Sequence, residues 1–320
     1  MSRRSIAVAL VALTLPVSAL AQTPAAGAVT AITLPAGLTF PEGIAYDGVG
    51  ALYTASAENG SIAKVTLATG ASSIVAPAGT LIPTAAPVFP GALGMKIDSQ
   101  NRLWIAGGAQ PKIFVVDLAT NRLVTTLAIP GANGNIINDL VIVGTSAYFT
   151  DTKVATLWRV ALNGTTVGAP EAFVNFAGTP LQYDSGLNLN GIAATADGQS
   201  LVVVQMDKGF LFKIDIATKA VSRIDTAGAD LSGADGLVLD GSTLYVVRQT
   251  AVEIATVTLS ADLTKGTVAH RFKDPALAWP ATAVKIGDRL IVVNTQFNTR
   301  AGATQKPPFT LLSVPVARLK

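Results

Sequence analysis

One segment recurs six times along this 320-residue chain. It reads PEGIAYD from Pro41, ALGMKID from Ala92, INDLVIV from Ile137, LNGIAAT from Leu189 and ADGLVLD from Ala234; a weaker copy, ATAVKIG, starts at Ala281. The second residues of the copies are Glu42, Leu93, Asn138, Asn190, Asp235 and Thr282, spaced 51, 45, 52, 45 and 47 residues apart. A strand-like unit repeated every 40 to 50 residues or so cannot bury its own faces, and stacking such units around an axis can. The period therefore predicts an all-β chain, a β-propeller of six blades.

Each repeat supplies four short strands, as a propeller blade requires. In the first repeat they begin at residues 43–47, 51–56 and 61–67, and Ala68-Thr69-Gly70 then turns the chain into an outer strand. Ala119-Thr120-Asn121 and Ala217-Thr218-Lys219 are turns of the same kind. The last repeat offers only three strands, at 283–286, 289–294 and 309–316. The stretch 28–34 precedes the first blade and has no blade of its own. It is expected to pair as the outer strand of the last blade and close the ring without leaving a long free edge. Residues 22–320 read as one propeller domain, with 298–308 as a surface loop. Trp104 and Trp158 fall on second or third strands and read as core.

Residues 1–21 read as an export signal: Arg3 and Arg4, an uncharged apolar run over 6–15, then Ala19-Leu20-Ala21. The mature protein is expected in the periplasm or secreted, not in a membrane. Removing the signal takes away two arginines and no acid, so the formal charge falls from +3 to about +1. No Lys/Arg cluster follows, which argues against a nucleic-acid partner. Half of the residues are hydrophobic and 13% charged, as expected when most strands are buried between two blades. There are no cysteines, which excludes disulfides, thiolate catalysis and Cys-ligated zinc. The single histidine, His270, lies in a strand-like stretch, and a Ser-His-Asp triad is not expected.

The innermost strand of each blade lines the central channel, so equivalent positions lie on one ring. Glu42, Asn138, Asn190 and Asp235 are therefore expected to converge. Two carboxylates about 4 Å apart repel by roughly 4 kcal/mol at an effective dielectric near 20, and a divalent cation removes that cost. Two carboxylates and two amide carbonyls form an all-oxygen set of the kind Ca²⁺ takes; zinc would call for His or Cys. Asn and Asp before Gly also begin turns. Turn chemistry alone does not require an acid or amide at the same repeat position four times.

Pro41-Glu42-Gly43, Asn138-Asp139, Asn190-Gly191 and Asp235-Gly236, in this order at blade spacing, resemble the SMP-30/gluconolactonase/LRE-like family, which includes diisopropyl-fluorophosphatase-like enzymes. Phe149-Thr150-Asp151 resembles a further segment of that family. The resemblance spans nearly the whole chain after the signal. It implies a six-bladed propeller with a divalent cation, often calcium, in the channel, and hydrolysis of lactones or related esters. Carried over residue by residue, it implies Glu42, Asn138, Asn190 and Asp235 as metal ligands, and Asp235 or Asp139 as base or nucleophile. The chain departs from the sugar-lactonase pattern twice: Ile136 stands where an arginine contacts sugar hydroxyls, and Leu140 where Gly follows the Asn-Asp pair.

Phe89, Tyr183 and Trp279 lie in loops before first strands and are expected to line a substrate pocket at the channel mouth. The expected function is a metal-dependent, calcium-preferring hydrolase of a small-molecule lactone or ester, exported and monomeric. The alternative is a non-catalytic binding propeller whose ion only stiffens the channel.

Overall fold

A computed structural model of the chain describes residues 27–83, 89, 91–131, 134–300 and 305–320. The export segment read from residues 1–21 lies outside them. The described chain forms six antiparallel sheets, one per repeat, arranged as a β-propeller. Blade 1 runs outward through Pro41–Tyr46, Ala51–Ser56, Ile62–Thr66 and Ser72–Ala76. The innermost strands of the following blades are Met95–Ile97, Ile137–Val143, Leu189–Ala194, Ala234–Asp240 and Pro280–Ile286. Blade 3 carries an additional two-residue strand, Thr166–Val167.

Blade 6 is completed from the other end of the chain. Thr30–Thr33 pairs antiparallel with Thr310–Pro315, Thr30 opposite Ser313 and Thr33 opposite Thr310. Leu34 N–H continues the ladder to Phe309 O at 2.9 Å. The expected closing strand is present, one or two residues shorter at each end than the sequence suggested.

Burial explains the hydrophobic composition. Second strands such as Ser200–Gln205 are buried along their whole length, because one face meets the preceding blade and the other the following one. Trp104, Ile113 and Val115 of blade 2 pack with Leu140, Phe149 and Trp158 of blade 3 in one cluster, so both tryptophans are core. Outer strands see solvent: Arg122–Ala128 is mostly exposed, and His270 sits on the outer strand of blade 5 opposite Thr256. The Ala-Thr-x turns are hairpins whose third residue is left-handed: Gly70 (φ 68°), Asn121 (φ 52°) and Lys219 (φ 61°).

Five of the six innermost strands are interrupted at the same place. Pairing with the second strand skips from Pro41 to Ile44, Ile137 to Leu140, Leu189 to Ile192, Ala234 to Leu237 and Pro280 to Ala283. In blade 2 the strand starts just past Leu93 and Gly94. Each skip is a β-bulge that re-aims two side chains. The register also corrects the sixth repeat. Pro280 is the equivalent of Pro41, so Ala281, not Thr282, is the counterpart of Glu42. Thr282 aligns instead with Gly43, Gly94, Asp139, Gly191 and Gly236.

Candidate metal centre in the axial channel

The first bulge residue of blades 1, 3, 4 and 5 is Glu42, Asn138, Asn190 and Asp235. All four line one cavity of about 50 Å³ at the end of the channel where the innermost strands begin. Leu93, the blade 2 equivalent, lines it as well. All four polar side chains are buried, none more than 8% exposed.

A second ring holds the first. One residue past the end of the second strand stand Ala57, Thr152, Met206, Gln249 and Thr295 in blades 1, 3, 4, 5 and 6. Asn138 Nδ2 donates to Thr152 Oγ1 at 2.9 Å, Asn190 Nδ2 to Met206 Sδ at 3.2 Å, and Gln249 Nε2 to Asp235 Oδ2 at 2.6 Å. The orientation of Asn138 follows from the donor count. Thr152 Oγ1 gives its single proton to Leu189 O at 2.7 Å, so it can only accept from Asn138. The amide nitrogen must face Thr152, and the carbonyl oxygen faces away from it. In blade 1 the supporting position is Ala57, which offers Glu42 nothing.

Glu42 Oε2 and Asn138 Oδ1 are buried without a hydrogen-bond partner. Such orphaned acceptors are uncommon and call for a missing partner. Burial, then the charges of Asp235 and Asp139, push the Glu42 carboxyl well above the ordinary carboxylate range, with Lys96 opposing. Burial, then Asp139, likewise raise Asp235, with the Asn190 amide opposing. A divalent cation would supply what is lacking: positive charge between buried acids and a partner for two orphaned oxygens. The donor set is hard oxygen, as calcium requires. No group of three or more His, Cys, Asp or Glu among the described residues is arranged to hold a metal; the set here is two carboxylates and two amides.

Asp139 lies elsewhere. It is the second bulge residue and is absent from the cavity wall. Its Oδ1 accepts from Leu140 N–H at 2.8 Å and its Oδ2 from Ile192 N–H in blade 4 at 3.4 Å. Lys96 Nζ stands 3.8 Å from Oδ1, and Lys96 lines the opposite mouth of the channel.

Of the three loop aromatics, Phe89 lines the cavity and Tyr183 and Trp279 do not. Tyr183 stacks on Phe176, ring centroids 6.0 Å apart, and donates its hydroxyl proton to Asp151 O at 2.6 Å. The sequence reading also missed several wall residues: Thr152, Leu187, Met206, Gln249 and Phe297. With Phe89, Leu93 and Ile136, the apolar members of this set share the cavity lining with the polar ring.

A family model, strictosidine synthase-like, N-terminal, matches residues 26–65. Among curated proteins no sequence matches this chain. Solved structures match over most of the chain. A calcium-binding regucalcin from Agrobacterium tumefaciens strain C58 has a TM-score of 0.63 at 16% identity, over 87% of this chain and 90% of that one. A gluconolactonase from Xanthomonas campestris has a TM-score of 0.62 at 16% identity, over 90% and 88%. The PQQ-bound aldose sugar dehydrogenase of Streptomyces coelicolor has a TM-score of 0.63 at 14% identity, over 91% and 99%. At these identities the likeness establishes the propeller fold, which carries unrelated chemistries in these three proteins.

Proposed function

We propose that this chain is a cation-dependent hydrolase of the SMP-30/gluconolactonase/LRE-like kind, exported through its first 21 residues, acting on a lactone or related ester. The observation that carries the reading is the oxygen ring of Glu42, Asn138, Asn190 and Asp235 on one cavity wall, with two of its acceptors orphaned. The likeness to a calcium-binding protein and to a gluconolactonase supports it. In this reading the four side chains hold the ion, with calcium the best match to their chemistry. Bound there, a divalent cation supplies Lewis-acid polarisation of a carbonyl oxygen.

The protein's own groups do the rest. Asp235 serves as ligand and base: it faces the cavity, Gln249 Nε2 fixes its Oδ2, and a carboxylate lone pair not directed at the ion takes the proton from water. Asp139 is a positioning residue, because its carboxylate ties blade 3 to the Ile192 N–H of blade 4. Phe89, Leu93, Ile136 and Phe297 exclude bulk water and take the apolar part of the substrate. Without an arginine at Ile136, a polyhydroxylated sugar lactone has a poor home here.

Turnover and melting temperature measured side by side test this assignment. Asp235→Asn is expected to cost about 10²–10⁴-fold in kcat. Asp139→Asn is expected to lower the melting temperature with a smaller loss of turnover. Unchanged turnover in Asp235→Asn contradicts the assignment. A calcium-raised melting temperature with no hydrolysis in wild type favours the non-catalytic binding propeller instead.

A further inference from the structure

Behind the Phe89 and Phe297 wall of the cavity stands a cation that the hydrolytic reading does not use. Arg300 lies just past a short 3₁₀ turn, Phe297–Thr299, and is half-buried. Its guanidinium carbon is 4.6 Å from the ring centre of Phe89, 5.6 Å from Phe297 and 5.9 Å from Phe40. Phe89 and Phe297 are wall residues of the cavity and pack on each other with centroids 5.3 Å apart. Arg300 is not itself a wall residue; it stands one ring behind the wall.

Its charge is uncompensated. All 20 acidic side chains of the chain lie among the described residues, and Arg300 forms an ion pair with none of them. Among the described residues its guanidinium takes no hydrogen bond either. Two other basic side chains on loops at this end of the channel are committed: Lys153 Nζ donates to Gly186 O at 2.9 Å, and Lys208 pairs with Asp184 at 3.0 Å. Stacking on aromatic rings uses the faces of a guanidinium and leaves its in-plane N–H groups free, in the fork that matches a carboxylate. Three rings hold the fork in place for an incoming ligand.

Resting on the hydrolase reading, we infer that Arg300, with Phe89 and Phe297, forms a clasp for an anionic substituent of the substrate. The substrate class is then an amphiphilic lactone or ester: a reacting carbonyl at the oxygen ring, an apolar body against Phe89, Leu93, Ile136 and Phe297, and a carboxylate at Arg300.

The test uses two isosteric probes, a γ-lactone with a pendant propanoate and the same lactone with a pendant propanamide, in calcium buffer. Wild type is expected to favour the acid through KM by about 10- to 100-fold, the range of charge-assisted hydrogen bonds. Arg300→Gln should bring the acid down to the amide's KM while leaving the amide's KM and kcat on both unchanged. Arg300→Lys should restore part of the preference, since it keeps the charge and loses the fork. Calorimetric binding of the same pair separates this inference from the hydrolase reading. Tighter binding of the acid, erased in Arg300→Gln, with neither probe hydrolysed, keeps the clasp and removes the hydrolase. Hydrolysis of both probes with equal KM keeps the hydrolase and removes the clasp. An Arg300→Gln effect equal on both probes, or no acid preference in either measurement, overturns the clasp.

Discussion

A carboxylate at the centre of this propeller is poised by what surrounds it rather than by its own chemistry. Glu42 and Asp235 are both raised above the ordinary carboxylate range, mainly by burial. Raised folded-state values mean that each acid favours the metal-free fold most when protonated. That contribution is complete below about pH 4, the unfolded carboxylate range, and is lost as pH rises through the raised values. In EDTA the melting temperature is therefore expected to fall from mildly acid to neutral pH, and Glu42→Gln should flatten that fall. If calcium binds as proposed the sign reverses, because the ion takes the charged forms, and Glu42→Gln should then lower the calcium-induced rise. Asp230 and Asp262, held at about 2 by local hydrogen bonds, act in the opposite sense and below this window. Gln249 offers a second check. Replacing it with Leu leaves Asp235 Oδ2 without its donor, and loss of such supporting partners costs about 10- to 100-fold in metal affinity or activity. Calcium titration and kcat together read that loss; an unchanged affinity and rate would show that the Gln249 bond positions nothing.

The element that makes the site is the bulge, and it depends on small residues. A Cβ on Gly191 would come 2.3 Å from Asp235 O and 2.8 Å from Leu237 N, and one on Gly236 would come 2.1 Å from Thr282 Oγ1. Neighbouring inner strands approach this closely because the second bulge residue of one blade presses on the bulge of the next. Gly191→Ala is expected to cost about 1–3 kcal/mol, as overpacking in a tight core does, and to weaken calcium binding with it, since Asp235 moves. Denaturant melts with calcium titration measure both; a neutral Gly191→Ala would mean the strands are not held by this contact. The ring is legible in the repeat itself, because Glu42, Asn138, Asn190 and Asp235 share one position and one chemistry. The supporting ring is not legible in the same way. Thr152, Met206 and Gln249 share a position but not a chemistry, and only the strand register reveals that they are equivalent. The same register moves the sixth copy by one residue: a bulge hides the alignment that Pro41 and Pro280 otherwise mark. Tyr183 stays out of the expected pocket because its hydroxyl finds Asp151 O and its ring finds Phe176, a loop path set by tertiary contacts rather than by position ahead of a strand.

At the scale of the molecule, the ring of blades sets the spacing of Glu42, Asn138, Asn190 and Asp235, and one noncovalent seam holds it closed. Thr30–Thr33 completes blade 6, and Arg289 Nη2 donates to Ala28 O at 2.8 Å beside it. Starting the chain at Leu34 removes four strand pairs and exposes the edge at Thr310–Pro315. At about 1 kcal/mol per net hydrogen bond, a loss of a few kcal/mol is expected, with association through the open edge. A melting curve and light scattering check it, and a truncated protein as stable and monodisperse as the full one would contradict the seam. The orphan stretch ahead of the first repeat makes this closure readable, since a sixth blade with three strands needs a fourth. The central claim is that four blades converge on one cation-dependent hydrolytic site. The most direct measurement of it is hydrolysis of a panel of apolar and acid-bearing lactones and aryl esters in EDTA, then with calcium restored. The account predicts turnover that EDTA removes and calcium returns. Turnover indifferent to EDTA, or none on any member of the panel while calcium still raises the melting temperature, would contradict it.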